Sequence, residues 1–356
     1  MSNKLLTNMS QTKSRIATLF LISLISLSTS LMAAPLTVVG FGGTLQKAQR
    51  NAYFIPFEKL TGEKVVEDSY LGGYAKQKVM VETNNVTWDV VQMDENEMIA
   101  ACDQGLLEKI DTKKLTNYAE ISDGVTPCGV GAIVWSMMST YNPKQYGTSG
   151  PKNWKEFWNI KKWPGKRGLR KQARQTLEIA LLADGVMPKD IYTVLGTKEG
   201  QDRAFKKLDE IKDNIVWWES GAQPLDWLKS GIVSATAAYN GRIFAANNEG
   251  ENLPMSWSGQ LYNMGYWTIV KGTKNKHKAY DLLNFMNKAE NQKAFVEKIP
   301  YGVINKQVKS MLTKSTINQL PNSEQNILDA VHLDSYFWLD HEEELQQRFT
   351  RWVSQG

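Results

Sequence analysis

The chain has 356 residues, 42% hydrophobic and 22% charged, with a formal net charge of +5. That length suits two lobes better than one core. A nucleic-acid binder is not expected, since it would need a concentrated basic face: the densest basic cluster, Lys161, Lys162, Lys166, Arg167, Arg170, Lys171 and Arg174, is interrupted by Pro164 and Gly165 and reads as a solvated loop rather than a phosphate track.

The first 34 residues hold Lys4, Lys13 and Arg15 and no acid, then an apolar run, then Met32, Ala33 and Ala34. This is the order of a secretory signal peptide cleaved near Ala33 or Ala34. Ser23, Ser26, Ser28, Thr29 and Ser30 break the run before it reaches membrane-spanning length. Without the three basic residues the mature chain is close to neutral, at +2.

Residues 36–41 read as a strand running into Gly42, Gly43 and Thr44, followed by a helix over 45–61. A strand over 64–68, a helix opened by Gly72 and Gly73, a strand over 88–93 and a helix reaching Cys102 complete a β-α-β-α-β alternation. That pattern predicts a mostly parallel sheet covered by helices on both faces. The apolar run 131–139 suits a segment crossing between lobes. Beyond Pro151, helices are expected over 175–183, 188–195 and 199–213, then strands over 215–218 and 232–238 separated by a short helix over 224–229. The returning chain supplies a strand over 266–270, helices over 276–286 and 290–298, and a last packing helix over 340–353 with acids at its start. Glu342 to Glu344 read there as a solvated face. In an oxidising compartment, Cys102 and Cys128 read as one disulfide, against the alternative of two buried thiols.

The stretch 217–242 is the most informative. Two strands end in small polar residues, Ser220 and Gly221 after the first, and the second ends in Tyr239 followed by Arg242. Ligands of open α/β sheets sit at such carboxyl ends. Gly43 and Thr44 open a helix whose free N–H groups suit a carboxylate or carbonyl, or simply form a tight turn. Asp94, Glu95 and Glu97 at a strand end suit an ammonium group or a surface turn. No nucleophile elbow, zinc motif or phosphate loop occurs, and His277, His332 and His341 are scattered. A catalytic constellation, a metal site and a cofactor are therefore not expected.

Several stretches carry a family resemblance: 101–111 (ACDQGLLEKID), 128–131 (CGVG), 164–170 (PGKRGLR), 176–185 (TLEIALLADG), 217–224 (WWESGAQP), 239–242 (YNGR) and 271–276 (KGTKNK). Through them the chain resembles periplasmic substrate-binding proteins of the spermidine/putrescine type, within the extracellular solute-binding family. The resemblance spans nearly all of 35–356. It implies an α/β, two-lobe periplasmic binding protein fold of type II, each lobe a mostly parallel sheet flanked by helices, with crossing hinge segments. The lobes are expected at 35–135 plus 264–308, and at 136–263 plus 309–356. The implied protein is a non-enzymatic monomer that captures a small polar solute and delivers it to the membrane permease of an ABC transporter.

The resemblance also places ligand residues. Tyr239 stands where polyamine receptors set a ring against the alkyl chain, and Tyr301 matches a second pocket aromatic. Two amine-holding acids of those receptors fall on Gln172 and Gln175, and a Trp/Asp pair falls on Asn263 and Gly265. A ring after the first strand is replaced by Gly42 and Gly43. A pocket that exchanges acids for amides, and offers Arg242 and Arg174, favours an amino-acid-like or anionic ligand over a polyamine. Receptors of zwitterions such as γ-aminobutyrate resemble this chain in having Arg at the position of Arg242. Tyr262 completes the expected set. Two other readings stay open: a secreted lyase or hydrolase with Asp94 or Glu95 as base, and a sensor subunit.

Overall fold

A computed structural model describes residues Ala34–Gln355; the expected signal peptide, apart from Ala34, lies outside the described residues. Nine strands among the described residues form one continuous sheet: β1 (Leu36–Gly40), β2 (Val65–Ser69), β3 (Val90–Asp94), β4 (Gly129–Tyr141), β5 (Arg167–Arg170), β6 (Ile215–Trp218), β7 (Ala235–Tyr239), β8 (Ser256–Ile269) and β9 (Val331–His332). Their order is β2-β1-β3-β8-β4-β7-β5-β6, with β9 beside β8. Two parallel triplets, β2-β1-β3 and β7-β5-β6, flank the long antiparallel pair β8-β4. The parallel strands are joined through helices, as parallel pairing requires.

All thirteen residues of β4 are buried, which explains an apolar run with little alternation. The expected strand over 266–270 is only the end of the fourteen-residue β8. Its earlier part reads as polar because Gln260 and Asn263 lie on it, yet both are fully buried. Gln260 donates to the carbonyls of Pro321 (2.9 Å) and Asn326 (2.7 Å), and Asn263 to the Leu333 carbonyl (3.3 Å) and the Ser335 hydroxyl (3.1 Å). Buried amides with such partners cost little, and here they fasten the C-terminal segment to the central strand.

The last helix starts earlier than expected, at Ser335 rather than near 340, because Asp334 caps it by accepting from the N–H groups of Tyr336 and Phe337. Glu342 to Glu344 therefore lie inside the helix, not at its start. The basic cluster is also not a uniform solvated loop. Arg167 is fully buried and donates to the carbonyls of Phe157 (2.6 Å), Gly165 (2.9 Å) and Trp163. It organises the turn before β5 in place of facing water. Cys102 and Cys128 form a disulfide, tying the helix Glu95–Asp103 to the start of β4. Closing that loop stabilises by on the order of 3 kcal/mol.

Candidate functional site

Every parallel strand of the two triplets delivers residues to one cavity at its carboxyl end. Phe41 follows β1, Tyr70 to Gly72 follow β2, Asp94 closes β3, Arg170 closes β5, Trp218 to Gly221 close and follow β6, and Tyr239 closes β7. Ile133 and Trp135 of the crossing strand β4 complete the wall between the triplets. The cavity holds about 70 Å³, room for a small solute.

Aromatic rings shape it. Phe41 stacks on Tyr70 at 5.4 Å between centroids. The Tyr239 ring stands edge-on to Trp135 (5.5 Å) and Trp218 (6.0 Å). The indole N–H groups of Trp135 and Trp218 are buried and find no hydrogen-bond partner in the protein. Buried tryptophans ordinarily satisfy that group, so these two donors mark a wall built for something polar.

The cations come from the β7-β5-β6 side. Arg170 donates from Nη1 to the Tyr239 hydroxyl (2.9 Å) and to Gln175 Oε1 (3.2 Å). Arg242, in the first turn of the helix Asn240–Asn248, is 8% exposed and donates to the Phe41 carbonyl across the cavity (3.3 Å). Two glycines make its position possible. A Cβ on Gly43 would lie 2.4 Å from Arg242 Nη1, and one on Gly221 would lie 2.9 Å from its Nε. Gly43 also has φ +60, which disfavours other residues.

The acids come from the β3 side. Asp94 accepts from Arg174 Nη1 at 3.3 Å, and Arg174 is 2% exposed with Nε and Nη2 unpartnered. Burial alone would lower the Arg174 guanidinium, but the charges of Asp94, Glu342 and Glu97 outweigh it and raise its pKa. Glu97 sits one turn along the helix from Asp94, so both point to the same side. Its Oε2 is buried without a partner. Burial first, then the charge of Asp94, pushes the Glu97 carboxyl up to about 7. Glu342 is not simply solvated: it accepts from Asn96 Nδ2 at 3.0 Å beside this cluster.

Of the residues expected from sequence, Asp94, Ser220, Gly221, Tyr239, Arg242 and Tyr301 line the cavity. Gly43, Arg174 and Gln175 stand just behind it, against Arg242, Asp94 and Arg170 respectively. Four others do not line it. Glu95 is engaged by the hydroxyls of Tyr266 (3.1 Å) and Ser335 (2.7 Å), Tyr262 packs on His332, Asn263 holds the C-terminal segment, and Thr44 is partly buried in the first helix. The ring thought missing after β1 is supplied one residue earlier, by Phe41.

Sequence reasoning missed Arg170, Tyr70 and Trp135, and it grouped Glu97 with Asp94 and Glu95 as a possible ammonium partner without setting it apart from them. Arg170 ends a strand as Tyr239 does, but with the sequence RGLR that strand carries no apolar run to announce it. Trp135 carried no signal either, being one aromatic within a long apolar run.

Comparison with known proteins follows the same lines. A sequence model of the bacterial extracellular solute-binding protein family matches residues 52–322. The gamma-aminobutyric acid-binding protein of Pseudomonas aeruginosa is 47% identical over 320 residues, covering 90% of this chain and 91% of that protein. The spermidine/putrescine-binding periplasmic protein of Escherichia coli is 25% identical over 74% of this chain and 76% of its own length. The crystal structure of the PBP MotA from A. tumefaciens B6 in complex with glucopine superposes with a TM-score of 0.83 at 29% identity, covering 90% of this chain and all 100% of that one. Relatives on one scaffold thus carry different ligands in their names, and the scaffold alone does not choose among them. With the family model spanning most of the chain, this protein belongs to the bacterial extracellular solute-binding protein family, with the two-lobe α/β fold of periplasmic binding proteins.

Proposed function

We propose that the protein is the exported, periplasmic solute-capturing component of an ABC importer and that its ligand is a small ω-amino acid such as 4-aminobutyrate. One observation carries this reading: a single aromatic cavity has guanidinium groups, Arg170 and Arg242, on one side and carboxylates, Asp94 and Glu97, on the other. A zwitterion satisfies both ends. A diamine would leave an ammonium group against the arginines, and a simple anion would leave Glu97 without a partner. The arginines offer planar, multiple donors to a carboxylate, and the rings enclose a short alkyl chain. The identity to a protein named for gamma-aminobutyric acid supports the same choice.

We read the two lobes as 35–135 plus 264–308 and 136–263 plus 309–356. Two of the three divisions, 135/136 and 263/264, fall on neighbouring rungs of the central pair, where Trp135 pairs with Asn263 and Ser136 with Tyr262. Lobe closure buries the solute, and the closed monomer docks on a membrane permease. Catalysis has little support from the carboxylates first considered for it. Asp94 is bridged by Arg174, and Glu95 is engaged by two hydroxyls, so neither stands free as a base.

Isothermal titration of the mature protein with 4-aminobutyrate, putrescine and butyrate tests the ligand class. The amino acid should bind in the micromolar range or tighter, roughly 8 kcal/mol or more, and at least about tenfold more tightly than either single-sign analogue. Putrescine binding as well as 4-aminobutyrate overturns the assignment.

A further inference from the structure

We propose that Glu97 is the residue that selects an amino group in the ligand, and that it holds a proton in the ligand-free protein which the incoming ammonium displaces. The inference rests on the zwitterion reading and names the residue and the proton on which it turns. Four carboxylates line or adjoin the cavity, and three are already engaged: on the arginine side Glu219 pairs with Lys171 at 3.1 Å. Asp94 is 3.3 Å from Arg174, and Glu95 accepts from Tyr266 and Ser335 and does not line the cavity. Glu97 lines it with a buried oxygen that nothing in the protein satisfies.

The surrounding charge points the same way. Around Glu97 stand Asp94 from β3, Arg174 from the helix Ala173–Ala183, Glu342 from the C-terminal helix and the Tyr70 hydroxyl from the segment after β2. Three carboxylates share one guanidinium, and an added cation completes the set. The only donor that reaches Glu97 from the loop after β2 is the Gly73 N–H, and a Cβ on neighbouring Gly72 would lie 2.9 Å from Glu97 Oε1. With no ammonium present, burial and Asp94 keep the carboxyl protonated up to about pH 7. On binding, the proton passes to bulk buffer and the carboxylate accepts from the ligand's N–H groups, with no covalent bond changed.

The test is isothermal titration of mature wild type and Glu97→Gln with 4-aminobutyrate, at pH 6 and pH 8, in two buffers of different ionisation enthalpy. Wild type should release about one proton per ligand at pH 6 and almost none at pH 8, with affinity rising about tenfold between them. Glu97→Gln should release none, bind at least about tenfold more weakly at pH 8 and show a flat pH profile. Butyrate, which lacks the amino group, should bind the variant no worse than wild type. Buffer-independent heats for wild type at pH 6, or an unchanged affinity and pH profile in Glu97→Gln, overturn the role of Glu97 while leaving the ligand class standing. If wild type binds no 4-aminobutyrate at pH 8, the ligand class and the role of Glu97 fall together. Should the variant not fold, as read by its melting curve, the wild-type proton count decides alone.

Discussion

Two buried carboxylates on different helices, Glu178 and Glu97, frame how this protein separates folding from binding. Glu178, fully buried in the helix Ala173–Ala183, accepts from the Trp338 indole (2.7 Å), the Tyr192 hydroxyl (2.9 Å) and the Gln175 N–H (2.7 Å). Every strong donor around it is in use, and it locks the C-terminal helix to the β5 side of the molecule. Glu97, beside the cavity, has an oxygen with no partner, and the indoles of Trp135 and Trp218 are equally unsatisfied. Burial raises the pKa of both acids. The difference between the two acids lies in completion: Glu178 is fully paired where it holds two helices together, and Glu97 keeps an unpaired oxygen beside the cavity. Unpaired buried groups cost stability, and a ligand that pairs them recovers that cost as affinity.

The contrast can be broken most forcefully at Arg242. Arg242→Ala should weaken 4-aminobutyrate binding about a thousandfold, ~4 kcal/mol, because it strands a buried carboxylate. Its melting temperature should move little, since among the described residues the side chain's hydrogen bond is to the Phe41 carbonyl alone. A mutant that binds normally in titration removes Arg242 from the site. Next, Glu178→Ala leaves the Trp338 and Tyr192 donors orphaned and should cost about 3 kcal/mol of stability. Urea unfolding with an unchanged midpoint would show that the knot around Glu178 holds nothing together.

Gly43→Ala sharpens the comparison from the backbone side. Its Cβ would press on the Arg242 guanidinium and its φ is positive, so binding should weaken by about tenfold while Arg242 stays in the chain. Wild-type affinity in this variant would mean that Arg242 shifts without consequence. The smallest effect is pH-dependent. The folded protein holds the Glu97 proton to about pH 7 against an ordinary value of 4.5, so its contribution to stability is complete below 4.5 and lost as pH rises through 7. Ligand-free Glu97→Gln, which cannot ionise there, should gain melting temperature relative to wild type as pH rises from 5 to 8. Parallel curves for the two proteins would remove the ionisation of Glu97 from the account.

Much of the fold was legible because its elements obey local rules. The β-α-β-α-β alternation at the start, the strand over 215–218 and the helix Lys276–Met286 were read within a residue or two. The disulfide followed from a lone cysteine pair. Elements were misread where tertiary partners overrode local polarity: β8 carries Gln260 and Asn263, and only the C-terminal segment that satisfies them makes such a strand stable. Arg167 was misread for the same reason, since three backbone carbonyls, not water, surround its charge.

The site divides along the same line. Tyr239, Arg242, Ser220 and Gly221 were recognisable because they end strands in a sheet whose carboxyl edge binds ligands. Sequence also determined that no nucleophile elbow, zinc motif or phosphate loop was present, because those chemistries need residues at set spacings. Which carboxylate stays free was decided only in three dimensions. Asp94, Glu95 and Glu97 are near neighbours in the chain and alike in side-chain chemistry, and what separates them is the Arg174 guanidinium on Asp94, the Tyr266 and Ser335 hydroxyls on Glu95, and, for Glu97, a single Gly73 N–H that leaves Oε2 unpaired. The side-chain partners come from chain 80 or more residues away, and electrostatics acts through space rather than along the chain.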